Sequence, residues 1–315
     1  MNKEKCITIL LGAAIGDALG VPVEFKKRSY LKENPVTNMI GFGTHNVREG
    51  TWSDDSSLTF CLAEAIIEGY SIEKSAEKML KWYTENYWTA DEEVFDIGNT
   101  ILKAIVKIRN GIPPALSGST SVNSNGNGSL MRIAPLILYL KDKPIEIRFK
   151  IVKEESSITH AHIISVIACF YFVEFGIGLL KGKEKNEVYK ELQQTLPVFL
   201  TSQLINDKEI KAFERLLTED IKESKVMTIL SSGYVIHSLT VAIWCLLNTN
   251  SFEDAVLQAV NLGEDTDTNA CIVGALAGIV YEQSEIPERW INTIKRKNDI
   301  IDLGNRLKTV LILTN

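Results

Sequence analysis

The sequence predicts a single all-α domain spanning residues 1–315, and three observations support this class. Apolar residues recur at the i, i+3, i+4 spacing of core-facing helices along almost the whole chain. Period-2 alternation bounded by turn residues, which is typical of β-hairpins, is nearly absent. No fixed-period repeat and no Pro- or Ser-rich linker divides the chain, which disfavours a solenoid or separate domains. We therefore expect a compact multi-helix fold around one core.

Several of the predicted helices have recognisable starts. Ser71 precedes "IEKSAEKML" and Ser251 precedes "FEDAV", and serine is a favoured N-cap residue. The helices are predicted near residues 4–19, 54–69, 72–87, 97–109, 129–140, 144–157, 161–181, 184–194, 208–223, 234–248, 252–262, 267–282, 287–296 and 299–311. Two Gly-rich segments, 41–57 and 111–135, break the pattern, and loops of this length are either functional or disordered.

Composition restricts the classes of function. The chain is 45% hydrophobic and 23% charged, as is ordinary for a globular protein, and its net charge is −6. No basic stripe is present to neutralise phosphates, so nucleic acid is not expected as the main partner. The mild acidity would also repel an anionic substrate unless a bound cation reversed the local field.

Cysteine usage and apolar runs predict a cytoplasmic protein without a membrane span. Five cysteines are scattered singly through apolar stretches, which indicates free buried thiols in a reducing compartment. The N-terminus resembles a signal peptide, but its apolar run is short and Asp17 lies where a cleavage site would be. The run "IISVIACFYFVEFGIGLL" contains Glu174 and is expected to be a core helix. The oligomeric state is not predicted.

A first acidic turn lies at residues 53–55, in "TWSDDSSLTF". A regular helix would spread Ser53, Asp54 and Asp55 around its circumference, so they converge only where the chain is still turning into a helix. Ser and Asp favour such a start because they cap the helix and complement its dipole. Taken alone, this stretch is most simply interpreted as a helix cap.

A second acidic turn lies at residues 265–268, in "NLGEDTDTNA", between two apolar helices. A helix would place Asp265 and Asp267 on opposite sides, so Asp265 must precede the helix and Asp267 must begin it. Thr268 adds a hydroxyl. Two such turns offer four carboxylates and two hydroxyls, an all-oxygen set that suits hard divalent cations. A pair of metal ions would offset the repulsion among the acids, so a two-metal site is favoured over capping.

At these residues the sequence resembles the ADP-ribosylglycohydrolase family, the group that includes dinitrogenase-reductase-activating glycohydrolase. The resemblance also extends to other segments in family order. The matching segments are "GAAIGDALGVPVEF" (12–25), "WSDDSSLTFCLAEAI" (52–66), "NGNGSLMRIAPL" (125–136), "THAH" (159–162), "SGYVIHSLTVAIWCLL" (232–247) and "AVNLGEDTDTNACIVGALAGIVYE" (259–282). One departure is Glu264, where many members have glycine. We expect its carboxylate to point outward or to tune the metal without being a ligand.

The resemblance implies an all-α hydrolase that holds two Mg²⁺ ions, or Mn²⁺ in some members. It would cleave the bond between the distal ribose C1″ of ADP-ribose and an acceptor. The expected partner is therefore ADP-ribose, or a protein or small molecule that carries it. Carried over by position, the metal ligands are Ser53, Asp54, Asp55, Asp265, Asp267 and Thr268. Glu24 matches a family glutamate that approaches metal or water in some members.

Glycoside cleavage gives the acidic residues a chemical role. Positive charge builds on C1″ and the ring oxygen, and carboxylates facing that carbon would stabilise it. Metals that hold the ribose hydroxyls would fix the ring and lower the pKa of a nearby water. We expect Asp54 or Asp55 to orient that water, and Glu24 is a candidate acid or base. Asp17 is expected to be structural, bonding the backbone or a neighbouring acidic turn.

The remaining motifs suggest where the rest of ADP-ribose binds. In "SNGNGSLMR", glycines would let backbone N–H groups approach an anion, and the predicted helix start near Ser129 would attract one. Such a loop is weak evidence alone, and it lacks the Walker and Rossmann signatures. With the resemblance, the residues expected to cradle the diphosphate are Asn125, Gly126, Asn127, Gly128 and Ser129.

Three further side chains stand near these motifs. His160 is a candidate contact for the phosphate or ribose, whereas His162 is better explained as a helix cap. Tyr234 could stack on adenine or could pack in the core. The spacing of Gly12, Gly16 and Gly20 is explained by close contact between helices.

Two other functions stay open from the sequence. An isoprenoid synthase also uses helical acids, Mg²⁺ and diphosphate, but its DDxxD spacing is not met after Asp55. A catalytically inactive ADP-ribose-binding or structural family member would be expected to lose ligands, and all six are present. The acceptor, whether arginine, serine, a nucleobase or a small molecule, is not predicted, since its contacts lie in loops such as 26–50 and 85–96.

Overall fold

The structure is a computed structural model and describes residues 4–313. These residues contain sixteen α-helices: α1 Lys5–Gly20, α2 Arg28–Glu33, α3 Asp54–Ile67, α4 Ile72–Glu85, α5 Asn99–Arg109, α6 Pro135–Leu140, α7 Ile145–Ser157, α8 Ile163–Leu180, α9 Lys185–Ser202, α10 Asp207–Lys211, α11 Glu214–Leu217, α12 Val235–Asn248, α13 Phe252–Val260, α14 Thr266–Val280, α15 Glu288–Thr293 and α16 Lys297–Leu313. Within the same residues, β-pairing is limited to isolated bridges such as Gly126–Tyr234. The all-α prediction is confirmed.

Helices α1 and α14 cross at the centre of the core in opposite directions. A Cβ atom at Gly12 would lie 2.2 Å from the Gly274 carbonyl oxygen, and one at Gly16 would lie 2.0 Å from that of Ala270. One at Gly20 would lie 2.3 Å from the Cα of Asp267. The glycines therefore let the two backbones touch, as predicted. This contact places the end of α1 against the start of α14, where the second acidic turn lies.

The substitution Gly16→Ala is expected to lower the free energy of unfolding by about 3 kcal/mol, because the new methyl group meets a backbone carbonyl that cannot rotate away. Chemical denaturation followed by circular dichroism measures the change. Gly98→Ala is the control, since its Cβ would meet only Ile101 Cδ1 at 4.0 Å. It should cost about 1 kcal/mol or less. Equal losses in the two variants would contradict the close-contact explanation.

Two helices are long and apolar enough to cross a membrane by length and composition, Lys5–Val23 and Ile163–Leu180. They are 94% and 83% buried inside the protein, which is typical of core helices. The five cysteines are also buried and free, as predicted.

Several predicted boundaries are wrong, and tertiary packing explains them. The helix expected at residues 129–140 begins only at Pro135, because residues 128–132 form turns. Helix α9 continues past residue 194 and through Pro197 to Ser202, since buried Phe199 and Leu200 extend its apolar face. The helix expected at 208–223 is divided into α10, α11 and a 3₁₀ turn. Helix α2 was not predicted.

Candidate active site

The first acidic turn forms the N-terminus of α3. The Ser53 hydroxyl accepts a hydrogen bond from the Asp55 backbone N–H at 3.3 Å and donates to Asp55 Oδ2 at 2.9 Å. Asp17 on α1 accepts hydrogen bonds from the Ser53 backbone N–H at 3.0 and 3.1 Å. It also accepts from the Ser56 backbone N–H at 3.0 Å and the Ser56 hydroxyl at 2.6 Å. Asp17 therefore holds this turn on α1, which confirms its predicted structural role.

The second acidic turn forms the N-terminus of α14. Asp265 is the N-cap, so it precedes the helix as the spacing of the acids predicted, and α14 begins at Thr266, one residue before the predicted start. The Thr266 hydroxyl donates to the Gly20 carbonyl at 2.7 Å, which joins the turn to the end of α1. Asp267 Oδ1 accepts a hydrogen bond from the Thr268 backbone N–H at 2.9 Å. The side chain of Asp267 is fully buried.

The two acidic turns meet in space. The Thr268 hydroxyl donates to Asp55 Oδ2 at 3.4 Å, across 213 residues of chain. One carboxylate oxygen from each of Asp17, Asp55 and Asp267 lies within 4.8 Å of the others. Another such group joins Asp54 and Asp55 to Asp96. The two-metal interpretation requires the two acidic turns to lie close together, and the structure meets this requirement.

The chemistry of this cluster fits a bound cation. Burial, followed by the neighbouring carboxylates, raises the pKa values of Asp54, Asp55 and Asp267 well above the usual range. Asp55 Oδ1 and Asp267 Oδ2 are buried and have no hydrogen-bond partner among the described residues. Oxygen atoms without partners, in a cluster of like charges, are costly unless a positive charge lies among them. These acids could hold a metal ion, and an all-oxygen set suits Mg²⁺ or Mn²⁺.

A cavity of about 240 Å³ opens beside the acids. Its wall includes Glu24, Asp54, Asp265 and Thr268, together with Asp96. The buried side chains of Ser53, Asp55 and Asp267 are outside this wall. A substrate atom in the cavity would therefore face the carboxylates of four wall residues: Glu24, Asp54, Asp96 and Asp265.

Glu24 lies in a hydrogen-bonded contact with a histidine. Its Oε2 contacts Nε2 of His45, which also lies 3.9 Å from Asp96 Oδ1. Burial raises the pKa of Glu24, although the contact with His45 partly lowers it again. Burial, then the charge of Glu24, raises the pKa of Asp96 to about 7. Asp96 is thus suited to hold or release a proton near neutral pH, and the raised pKa of Glu24 favours its protonated form.

The Gly- and Asn-rich loop contributes only its central residues to the cavity. Gly126, Asn127 and Gly128 line it, and the Asn127 amide donates to Asp265 Oδ2 at 2.8 Å. Asn125 is outside the wall, where its amide accepts from Ser165 at 2.9 Å and contacts His162. Ser129 is fully buried and accepts from the Ser156 hydroxyl at 3.0 Å.

The helix start that was predicted near Ser129 is therefore wrong, and with it the expectation that the dipole of this helix attracts an anion. Residues 128–132 are turns, and the short helix α6 begins six residues later, at Pro135. Backbone N–H groups of the loop can still approach a ligand at Gly126 and Gly128, but the N-terminus of α6 does not lie there.

The three side chains singled out near the loop occupy different places. His160 lines the cavity with 2% of its surface exposed. His162 is the N-cap of α8, where Nδ1 accepts from the Ile164 N–H at 3.3 Å, as predicted. Tyr234 is paired with Gly126 through a backbone bridge and is 38% exposed. Tyr234 is not among the residues that line the cavity, and its exposure places it outside the core.

Comparison with known proteins agrees with this geometry. The ADP-ribosylglycohydrolase family model matches residues 2–314. The chain belongs to this family. It is similar to the ADP-ribosylarginine hydrolase Tri1 of Serratia proteamaculans, with 33% identity over 97% of this chain and 79% of that protein. The protein of the same name from Pseudomonas putida is 31% identical over 95% of this chain and 76% of its own length.

The same family is found among solved structures. An "ADP-ribosylglycohydrolase-related protein complex" superposes with a TM-score of 0.82 and 27% identity, covering 98% of both chains. The predicted family, its fold and the enzyme class of ADP-ribosylglycohydrolase are therefore confirmed. The family comparison leaves the roles of individual residues as predictions.

Glu264, the departure from the family pattern, does not enter the site. Its side chain is exposed, and its backbone has φ +64°. Its carbonyl accepts from the Phe25 N–H at 2.7 Å, and its N–H donates to the Lys26 carbonyl at 2.8 Å. The outward orientation is as expected. This backbone pair also holds the segment that carries Glu24 against the second acidic turn.

Sequence reasoning missed two residues of the site, His45 and Asp96. They lie in loops 26–50 and 85–96, for which the sequence suggests only contacts with the acceptor. Neither residue belongs to a motif with recognisable spacing. Asp96 adopts φ +58°, a conformation that residue type and neighbours do not reveal. Only the folded chain brings both within 4.8 Å of Glu24 and Asp267.

Proposed function

We propose that the protein hydrolyses ADP-ribosylated arginine, with two divalent cations, Mg²⁺ or Mn²⁺, as cofactors. The observation that carries this proposal is the meeting of two acidic turns beside a cavity walled by Glu24 and Asp96. The arginine acceptor is supported by two relatives named ADP-ribosylarginine hydrolase, at 33% and 31% identity.

The charge of the cavity also supports a cationic acceptor. Its described lining residues include four carboxylates and one histidine, and none of them is lysine or arginine. Asp54 and Asp265 would be neutralised by the cations that they hold. A leaving guanidinium would therefore be attracted by Asp96, and by Glu24 once Glu24 has lost its proton, whereas a serine hydroxyl would gain nothing from them. The diphosphate, in contrast, needs positive charge that these lining residues lack.

Six residues would hold the cations: Ser53, Asp54, Asp55, Asp265, Asp267 and Thr268. When bound, the cations supply counter-charge and Lewis acidity toward the ribose hydroxyls. This arrangement would fix the distal ribose with C1″ over the acidic wall.

The protein side chains then carry the proton transfers. Asp54, which faces the cavity, or Asp55 behind it, orients a water molecule whose oxygen bonds to C1″, and this carboxylate accepts the proton that the water loses. The C1″–N bond breaks, and its electron pair passes to the guanidine nitrogen. Glu24, whose pKa is raised by burial, donates a proton to that nitrogen. The carboxylates that face C1″ stabilise its positive charge in the transition state. The products are ADP-ribose and arginine.

The rest of ADP-ribose would extend along the Gly- and Asn-rich loop. Gly126 and Gly128 offer backbone N–H groups to the diphosphate, and Asn127 and His160 offer side chains. Tyr234, whose backbone is bridged to the lining residue Gly126, would stack on adenine beyond the cavity wall.

Purified protein incubated with a panel of arginine-, serine- and nucleobase-linked ADP-ribose tests this proposal. We expect release from arginine only, in the presence of Mg²⁺ or Mn²⁺, with Glu24→Gln at least about 100-fold slower. Release from another acceptor would overturn the arginine assignment. Calorimetric binding of ADP-ribose without turnover on any substrate would instead indicate the inactive binding protein.

A further inference from the structure

Arg132 is a fully buried guanidinium directly behind the cavity wall. Its NH1 group donates to the Gly128 carbonyl at 2.7 Å and to the Thr159 hydroxyl at 3.1 Å. Its NH2 group donates to the Glu155 carbonyl at 2.8 Å, and buried Glu155 Oε1 lies 3.5 Å from Nε. A charge buried this deeply is costly. Arg132 nevertheless contacts both the Gly- and Asn-rich loop, at Gly128, and the "THAH" segment, at Thr159.

The hydrogen bonds of Arg132 determine which way the Thr159 hydroxyl points. A guanidinium can only donate, so the Thr159 oxygen must accept from Arg132. The other side-chain partner of this oxygen among the described residues is His160 Nδ1, at 2.8 Å. If this oxygen accepted from Nδ1 as well, the buried hydroxyl proton would have no acceptor among the described residues, so the proton is donated to Nδ1. A ring nitrogen that accepts a hydrogen bond carries no proton, so neutral His160 carries its proton on Nε2.

The Nε2 edge of His160 faces the ligand side. A Cβ atom at Gly126 would lie 3.6 Å from Nε2, and one at Gly128 would lie 3.0 Å from Cε1. Gly126, Gly128 and His160 all line the cavity. The two glycines thus place no side chain of their own against this edge of the ring.

His160 also stays neutral over the physiological range. Burial, and then the charge of Arg132, lowers the pKa of His160 to about 3. A protonated ring would in addition place a second cation beside the guanidinium.

We infer that Arg132 is a positioning residue, which acts through Thr159 to fix His160 as a neutral imidazole whose Nε2–H donates into the cavity. The ligand atom that contacts Nε2 must then be a hydrogen-bond acceptor, such as a phosphate or ribose oxygen. His160 therefore cannot act as a metal ligand or as a base. The identity of the ligand as ADP-ribose rests on the proposed function, whereas the tautomer does not.

Nitrogen NMR of histidine-labelled protein tests the tautomer directly. The sequence has four histidines, so comparison with His160→Asn assigns the ring signals. We expect Nε2 to be protonated and Nδ1 to be unprotonated, with no change between about pH 5 and pH 8. A proton on Nδ1, or titration in this range, would overturn the inference. The tautomer is read from the wild-type protein without ligand, and the variant serves only to assign the His160 signals.

A double-mutant cycle tests whether Thr159 acts through His160. Thr159→Val removes the hydroxyl and should weaken ADP-ribose binding about tenfold, while Thr159→Ser should stay within about threefold. In a His160→Ala background, Thr159→Val should cause no further loss. Equal losses in both backgrounds would show a merely structural role. If the tautomer is as expected but His160→Ala binds ADP-ribose normally, the ligand assignment fails and the tautomer stands.

Discussion

Asp267→Asn is expected to reduce metal-dependent hydrolysis by at least about 1,000-fold while leaving the helical circular dichroism unchanged. Asp267 belongs to two of the acidic groups that could hold a metal, and its Oδ2 is buried without a hydrogen-bond partner in the part of the chain that the structure describes. The asparagine oxygen can still accept from the Thr268 N–H, which Asp267 Oδ1 accepts at 2.9 Å. The start of α14 is therefore preserved, and only the charge and a ligand atom are lost.

Steady-state hydrolysis of ADP-ribosylated arginine and calorimetric titration with Mn²⁺ measure this effect. Glu264→Gln is the matched control, because it makes the same change of charge in the same turn on an exposed side chain. We expect its turnover to stay within about twofold of the wild type. Asp267→Asn that keeps a tenth or more of the activity would exclude Asp267 as an essential ligand.

Much of the fold could be predicted because local patterns and tertiary contacts agree. The Gly12, Gly16 and Gly20 spacing predicted a close helix contact, and the structure places backbone atoms of α14 against it. The start of α6 could not be predicted in the same way. Residues 129–134 have the apolar pattern of a helix, but residues 129–132 form turns in which Arg132 bonds the Gly128 carbonyl and the distant Glu155 of α7. Such long-range contacts leave no periodic signal.

The candidate site likewise contains residues that local patterns predict and residues that only tertiary contacts bring together. The two acidic turns were predictable, since consecutive acids have meaning only at a helix start. His45 and Asp96 were not, because each approaches Glu24 from a loop whose path depends on the rest of the fold. Asn125 and Ser129 show the converse limit. They belong to a motif that resembles a substrate loop, yet their side chains bond the protein behind it.

The metal-free protein is expected to be less stable at about pH 8 than at about pH 5, and divalent cations should remove this loss. Burial raises the pKa of Asp17 to about 6 and that of Asp96 to about 7, from 3.8. Burial and neighbouring acids raise those of Asp54, Asp55 and Asp267 further. Each folded-state pKa lies above the unfolded value, so the stability contributed is complete below 3.8 and is lost as pH rises through the folded value.

Thermal unfolding in EDTA and in excess Mg²⁺, from about pH 5 to pH 8, measures this dependence. His160 opposes it, because its lowered pKa gives stability that is lost as pH falls below the ordinary value of 6.5. Both proteins contain His160, so the difference between their melting temperatures removes its contribution. In EDTA, Asp267→Asn should lose less stability than the wild type as pH rises. Cations compete with protons for the carboxylates, so the shift caused by Mg²⁺ should grow with pH. A melting temperature in EDTA that rises with pH equally in both proteins would mean that the acids carry no excess negative charge for a metal to offset.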